Sequence, residues 1–237
     1  MRTLINSLHP DDYLDIREGV TIAKGAVAEL QARGVRIDIP TEHRWWEYAT
    51  VIQMMLMQYR DRMSEVTILD VGSGRGAVCP ALSLTFDTIC TECEPAVGER
   101  NDRIRCNQVL RALGRKGISV QDNHTMNLPA VDYDMVSCVS VIEHIDPQIE
   151  ILSWYNLAER VKPGGLFFAD VDCVPDQSKK YVFDELRTHN FTCEEMKDRV
   201  EMLKEKGFEP IGEPDYTYRG NMVHDFTFFR VGLRKKL

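Results

Sequence analysis

The feature that most constrains the fold is an alternation of strand-like and helix-like segments in the middle of the chain. Short apolar runs typical of buried strands, such as Val66–Val71 and Met135–Val141, are separated by longer segments with apolar residues at helical spacing. This order predicts a parallel sheet with helices on both faces. Two β-rich stretches, 209–219 and 223–234, follow the last predicted helix. We therefore expect an α/β fold whose seven-stranded, mostly parallel sheet ends in an antiparallel C-terminal hairpin.

Two helical segments precede this alternation. Apolar residues recur at helical spacing over residues 11–34 and again over residues 41–63. We expect residues 1–63 to form a helical N-terminal cap or lid and residues 64–237 to form a ligand-binding domain. A chain of 237 residues is short for two separate cores, so one compact unit is expected.

Composition narrows the class of protein. The net charge of −8 disfavours a broad nucleic-acid surface, which would need clustered Lys and Arg. No apolar run is long enough to span a membrane, and the first residues lack a signal-peptide core. The seven cysteines have no framework spacing, as expected of reduced thiols in a cytoplasmic protein. Cys90 and Cys93 form a CxxC pair without a second pair to complete a zinc site, so no metal centre is expected.

A glycine-rich loop follows the first strand of the alternation, in the sequence Asp70-Val-Gly-Ser-Gly-Arg-Gly76. Glycine allows backbone to approach a ligand without a Cβ collision. Twenty positions after Gly72, Glu92 lies at the end of the next predicted strand, where a carboxylate can accept hydrogen bonds from both hydroxyls of a ribose. A tight turn alone would not require a strand, loop, helix and acid in this order. The sequence therefore predicts a site for an adenosine-type ligand.

Two kinds of adenosine cofactor fit this loop. Gly72-x-Gly74-x-x-Ala77 also satisfies the looser dinucleotide pattern, so a nicotinamide-dependent oxidoreductase is an alternative. Against that alternative, Asp70 precedes the loop, Gly76 adds a third glycine, and the chain ends in a predicted antiparallel hairpin.

The loop resembles motif I of the class I S-adenosylmethionine (SAM)-dependent methyltransferases, Asp-x-Gly-x-Gly-x-Gly. Residues 131–145 are similar to the fourth-strand motif of that family, and residues 161–166 to the segment that leads into its fifth strand. The resemblance covers about residues 66–234 and is greatest to the small-molecule "type 11" branch. It implies a Rossmann-like fold, SAM as cofactor, S-adenosylhomocysteine as product and a small-molecule methyl acceptor.

The resemblance also implies which residues hold the cofactor. Asp70, Gly72 and Gly74 would line its methionine portion, Glu92 would bind the ribose, and Ser140 would lie beside the sulfonium. The complete predicted set is Asp70, Gly72, Ser73, Gly74, Glu92, Cys93, Asp122, Asn123, Ser140 and Arg44.

The two remaining roles concern the adenine and the methionine carboxylate of the cofactor. Asp122 or Asn123 would bind the adenine amino group, although they lie further upstream of Leu128-Pro129 than is usual in the family. Arg44, in the predicted cap, would pair with the methionine carboxylate, with a surface arginine as the alternative interpretation.

Catalysis would need little beyond alignment and water exclusion, because the methyl group on a sulfonium is already electrophilic. An O or N acceptor must lose a proton, and His is the side chain best matched to that task near neutral pH. His144 follows the fourth strand and is the predicted general base, with a local helix-start role as the alternative. Glu143-His144 is similar to part of the Glu-x-x-Glu-His metal motif of the ubiquinone O-methyltransferases. Ser140 replaces the first Glu and removes a hard ligand, so no catalytic metal is expected.

Further residues are predicted to contact the acceptor: Trp46, Tyr48, Asp172, His189 and His224. The rings of Trp46 and Tyr48 could stack on a planar substrate, with a core-facing stripe as the alternative for at least one Trp. The methionines of the same segment, Met57 among them, are predicted core residues.

Together these features predict a methyltransferase that moves a methyl group to an O or N atom of a small molecule by in-line displacement. Three alternatives remain: the nicotinamide-dependent oxidoreductase, a binding protein on the methyltransferase fold, and a methyltransferase acting on protein or RNA. The sequence does not distinguish a monomer from a homodimer.

Overall fold

The computed structural model describes residues 5–7, 16–34, 42–72, 89–94, 117–121, 131–177, 189–218 and 227–237. The strands are β1 (Ile5–Ser7), β2 (Thr67–Val71), β3 (Ile89–Glu94), β4 (Gly117–Gln121), β5 (Tyr133–Val139), β6 (Val161–Val174), β7 (Phe191–Thr192), β8 (Phe208–Pro210) and β9 (Thr227–Lys235). The α-helices are α1 (Arg17–Ala32), α2 (Glu42–Tyr59), α3 (Glu150–Glu159) and α4 (Cys193–Glu205), with 3₁₀ turns at Arg60–Glu65 and Ile142–His144.

The chain divides into two compact units, one of residues 11–129 and one that joins residues 1–10 to residues 130–237. This division differs from the predicted boundary after residue 63. The predicted cap helices α1 and α2 belong with β2, β3 and β4, and the first described element is a strand rather than a helix. That strand, β1, pairs antiparallel with β9, so long-range pairing decides where the first residues belong.

In the unit of residues 11–129, β2, β3 and β4 run parallel, with β3 in the middle. α1 packs against α2 at a close crossing of the two backbones. A Cβ on Gly19 of α1 would lie 2.3 Å from the carbonyl oxygen of Ala49 in α2. The helices can therefore approach this closely only because residue 19 has no side chain.

α2 supplies much of the core of this unit. Trp46, Ile52, Met54 and Met55 are buried, as expected for an apolar helix that packs against neighbours on more than one face. The prediction that Met57 is a core residue is wrong, since 47% of it is exposed. It lies two residues before the end of α2, where the helix surface reaches solvent.

In the unit completed by residues 130–237, β6 is the central strand. β6 runs parallel to β5 and to the short β7, and antiparallel to β9. β9 also pairs antiparallel with β8, so the predicted antiparallel C-terminal pairing is confirmed. The α/β class, with both parallel and antiparallel strands, is confirmed as well.

The first strand of the predicted hairpin is shorter than expected, because β8 covers residues 208–210 rather than 209–219. The N–H of Ile211 still donates to the carbonyl of Gly232, at 3.1 Å. Beyond it, Gly212 has a φ of 85° and Pro214 lacks an N–H, so the ladder cannot continue.

The segment Lys162-Pro-Gly-Gly165 has a composition typical of a helix stop, which predicts a strand that starts at Leu166. Instead α3 ends at Glu159, and β6 already begins at Val161. Tyr133 pairs with Val161 while Met135 pairs with Leu166, so the segment forms a bulge in β6. A Cβ on Gly165 would lie 2.8 Å from the carbonyl oxygen of Asp134, which explains the small residue at this position.

α3 and α4 pack together and are linked by one ion pair. The guanidinium of Arg199 donates two hydrogen bonds to the carboxylate of Glu150, at 2.8 and 2.7 Å. The contact raises the pKa of Arg199 above its usual value. α4 begins with a capping box between Thr192 and Glu195, the pattern that satisfies free N–H groups at a helix start.

No helix in the described part of the chain has the length and apolar composition needed to cross a membrane.

Candidate active site

The glycine loop begins at the carboxyl end of β2. Asp70 is buried, with 2% of its surface exposed, and Gly72 directly after the strand has a φ of 64°. A φ in this left-handed range favours glycine over every other residue. Sequence and backbone therefore agree that the chain turns sharply here, immediately after a buried carboxylate.

The strand register aligns the predicted donor-binding residues of β2 and β3. Asp70 pairs with Glu92, and Val71 pairs with Cys93, across the parallel strands. Parallel strands carry their carboxyl ends to the same edge of a sheet, which is where open α/β sheets bind ligands. The structure thus brings Asp70, Gly72, Glu92 and Cys93 together at one edge.

The other predicted cofactor residues are only partly described. Arg44 lies in the first turns of α2. Ser73, Gly74, Asp122 and Asn123 lie outside the described residues.

Ser140 directly follows β5 and has a φ of 51°, an unusual conformation for a residue other than glycine. Its N–H donates to the carbonyl oxygen of Asp170 in β6, at 2.9 Å. This hydrogen bond fixes the backbone at the carboxyl end of β5. Backbone strain held in place by surrounding structure is frequent at functional sites.

The turn after Ser140 carries the predicted general base. Glu143 is buried whereas His144 is exposed, so the imidazole is accessible from outside the fold. The N–H of His189 donates to the carbonyl oxygen of Glu143, which brings a second histidine to this turn. The ring of His189 packs edge-on against Phe191, with ring centroids 5.1 Å apart.

Asp170 and Asp172 lie in the second half of β6, and Asn190 directly precedes β7. Asp172, predicted to contact the acceptor, is partly buried, and Asp170 is fully buried. Asn190, which the sequence analysis missed, is also fully buried. Within the described part of the chain, neither polar atom of its carboxamide has a hydrogen-bond partner. Asp170 could have been found as one of two acids in the otherwise apolar run of residues 166–174, but no local signal marks Asn190.

The remaining predicted acceptor residues fall in different places. Trp46 is completely buried in α2 and belongs to the core, which corrects its assignment to the acceptor site. Tyr48 is only partly buried. The neighbouring ring of Trp45 contacts the ammonium group of Lys24, which lies 5.8 Å from the ring centroid. His224 lies outside the described residues. Among the side chains that the structure describes, no cluster of three or more His, Cys, Asp or Glu could hold a metal ion.

Residues 23–209 match a family model described as a methyltransferase domain. The match covers well over half of the chain, so the chain belongs to the methyltransferase-domain family. This confirms the family predicted from the glycine loop and the fourth-strand motif.

Individual relatives are distant. A ubiquinone biosynthesis O-methyltransferase of Rickettsia typhi is 25% identical over 166 residues, which are 60% of this chain and 60% of that protein. A geranyl diphosphate methyltransferase in complex with GPP and sinefungin has a TM-score of 0.61 at 10% identity, covering 79% of this chain and 77% of its own. An S-adenosylmethionine-dependent methyltransferase from Clostridium acetobutylicum has a TM-score of 0.60 at 10% identity, covering 83% and 93%. These structures confirm the predicted α/β methyltransferase fold.

Proposed function

We propose that this chain is a SAM-dependent methyltransferase that transfers a methyl group to an oxygen or nitrogen atom of a small molecule. The observation that carries the proposal is the pairing of Asp70 with Glu92 across β2 and β3, two residues before the left-handed Gly72. Membership of the methyltransferase-domain family supports it. So do two structures of similar fold, one described as SAM-dependent and one in complex with sinefungin.

The residues at the edge of β2 and β3 suit an adenosyl cofactor. Glu92 offers a carboxylate to the ribose hydroxyls, and Gly72 leaves room for close backbone approach. Asp70 supplies negative charge near the methionine portion. When bound, SAM supplies a methyl group that is already electrophilic, so no further activation of the donor is needed.

We also propose a Rossmann-like fold with helices on both faces of a mostly parallel sheet, in which α1 and α2 cap the cofactor site. Further cofactor contacts come from residues predicted by the resemblance: Arg44, Ser73, Gly74, Cys93, Asp122 or Asn123, and Ser140.

On the acceptor side, His144 is the general base. Its exposure makes the imidazole available to a proton on the acceptor, and histidine is the side chain best matched to proton transfer near neutrality. Tyr48, Asp172, His189 and His224 contact the acceptor. An oxygen acceptor is the first to test because the relative from Rickettsia typhi is named as an O-methyltransferase.

Calorimetric titration with SAM, S-adenosylhomocysteine and NADH tests the cofactor. We expect both adenosyl ligands to bind the wild-type chain, NADH not to bind, and Glu92→Ala to lose at least about tenfold in affinity, or ~1.4 kcal/mol. Glu65→Ala, which changes an exposed acid just before β2, is the matched control and should bind like wild type. Binding of NADH alone, or equal losses in both variants, would contradict the proposal.

A panel of phenols and amines, assayed with SAM for formation of S-adenosylhomocysteine, tests the acceptor and the base. With an active acceptor, His144→Gln should lower turnover by about 10²–10⁴-fold and remove the step in the pH profile that the imidazole causes. Its affinity for SAM should not change. Asp146→Asn, an exposed substitution two residues later, should keep wild-type turnover. An unchanged profile in His144→Gln would remove this residue from the proposed chemistry.

The alternative of a nicotinamide-dependent oxidoreductase is not favoured, because the family match is to a methyltransferase domain.

A further inference from the structure

Two cysteines from different elements meet at the carboxyl end of β6. Cys173 is the next-to-last residue of β6, and Cys193 is the first residue of α4. The parallel pairing of β6 with β7 aligns Val174 with Thr192, which brings the two cysteines to the same place. Their Sγ atoms lie 3.7 Å apart. The sulfurs are thus in contact without being bonded.

The two thiols differ in access. Cys173 is completely buried, whereas Cys193 is partly exposed. A small reagent can therefore reach Cys193, and the buried sulfur of Cys173 lies in contact with the sulfur of Cys193. The capping box of Thr192 and Glu195 holds the start of α4, so Cys193 has a fixed position beside its neighbour.

The pKa values of the two thiols also differ, and the more accessible thiol, Cys193, is the one that ionises more easily. The two thiols share a hydrogen bond in which either sulfur can be the donor, and this contact lowers the pKa of the Cys193 thiol. The same hydrogen bond, together with burial, raises the pKa of Cys173, so it keeps its proton. The N-terminal position in α4 favours a thiolate at Cys193 further. The acids that face the pair, Glu195 and Asp172 toward Cys173 and Asp215 toward Cys193, oppose ionisation.

We propose that Cys173 and Cys193 are a peroxide-reactive dithiol that closes to a reversible disulfide. The Cys193 thiolate attacks one oxygen of hydrogen peroxide, which breaks the O–O bond and leaves a sulfenic acid on Cys193 and hydroxide. Cys173 then attacks the sulfenic sulfur, the S–S bond forms, and the sulfenic oxygen leaves as water with the proton of Cys173. Two thiols are oxidised and one peroxide is reduced to two waters. A dithiol reductant reverses the reaction by exchange.

Thiol counting and peptide mapping on the full reduced chain test this site. After limited hydrogen peroxide, free thiols are counted in denaturant, blocked with N-ethylmaleimide, and the digest is analysed by mass spectrometry. We expect the seven thiols of the chain to fall to five, with one linked peptide pair that joins Cys173 to Cys193. Treatment with dithiothreitol should restore all seven.

Variants distinguish a specific link between Cys173 and Cys193 from general oxidation of the thiols of the chain. In Cys173→Ser the sulfenic acid has no partner, so dimedone should label Cys193, whereas the wild-type chain should give little adduct. Cys138→Ser, which changes a buried cysteine of β5, should still form the Cys173–Cys193 link. Circular dichroism before oxidation shows that each variant is folded, and the wild-type mapping decides the question even if one is not. A missing link, a link from Cys193 to another cysteine, or equal dimedone labelling with and without Cys173 would overturn the proposal.

Discussion

The hydroxyl of Tyr216 is buried, and its ring stacks on Phe229 with centroids 6.1 Å apart. Burial, with a smaller contribution from the charge of Glu201, raises the pKa of Tyr216 to about 12. An unfolded chain ionises tyrosine near pH ~10. The neutral hydroxyl of Tyr216 therefore contributes stability to the folded chain that is fully present below that pH. This contribution is lost as the pH rises toward 12.

Substitution of Tyr216 by Phe should remove this alkaline loss. We expect the free energy of unfolding to fall less steeply between pH 10 and 12 in Tyr216→Phe than in the wild type. Urea unfolding of both chains at matched pH values measures the difference, and groups that titrate in both chains cancel. Parallel curves for the two chains would show that Tyr216 does not ionise differently on folding.

Residues that act through local sequence could be predicted, and residues that act through distant contacts could not. Asp70 and Gly72 were found because a strand and a glycine turn are adjacent in the chain. Trp46 could not be assigned to the core or the acceptor site until its burial was known. The meeting of Cys173 with Cys193 depends on a strand pairing across 20 residues, for which the sequence carries no spacing signal.

At the scale of elements, the crossing of α1 and α2 depends on one missing side chain. Gly19→Ala would place a methyl group 2.3 Å from the carbonyl oxygen of Ala49, so we expect a loss of about 1–3 kcal/mol in stability. Gly25→Ala is the matched control in the same helix, where an added Cβ meets nothing within 4 Å. There alanine should stabilise by up to ~1 kcal/mol through helix propensity. Urea unfolding that ranked the two variants in the opposite order would contradict this packing.

The ion pair between Glu150 and Arg199 links α3 to α4. Arg199→Met leaves a carboxylate that is only 3% exposed without its cation, and should cost about 3–5 kcal/mol. Lys204→Met breaks an exposed pair with Glu201 in the same helix and should cost no more than ~1 kcal/mol. Thermal or urea unfolding at neutral pH measures both. Adding Glu150→Gln to Arg199→Met should recover part of the loss, and no recovery would mean that the buried charge is not its cause.

Periodicity within single segments predicts α1, α2, β2 and β5, but it predicts neither β1 nor β7, and it misplaces two boundaries. Lys162–Gly165 has the composition of a helix stop, yet it forms a bulge because β5 provides hydrogen-bond partners on both sides of it. β8 stops early because Gly212 and Pro214 interrupt the ladder with β9. Both outcomes depend on pairing with a distant strand, which periodicity within one segment cannot report.

At the scale of the whole molecule, the family could be predicted because its motifs are linear, whereas the grouping of the chain into units could not. Residues 1–10 group with residues 130–237 through the pairing of β1 with β9. Deletion of residues 1–10 should therefore leave the backbone of β9 unpaired at residues 229–231 and make the chain less stable and more prone to association. Urea unfolding and size-exclusion chromatography measure these effects, and an unchanged midpoint with an unchanged elution volume would contradict them.

The pairing of β1 with β9 also determines the order in which the two units can fold during synthesis. Ile5 pairs with Val231, so β1 is synthesised long before the strand with which it pairs. Domains generally fold as units during synthesis, at roughly 5–20 residues per second, so β1 must wait many seconds without its partner. Residues 11–129 contain their whole unit and can complete it while the rest is still being made. The unit that includes residues 1–10 can be completed only after β9 has been synthesised.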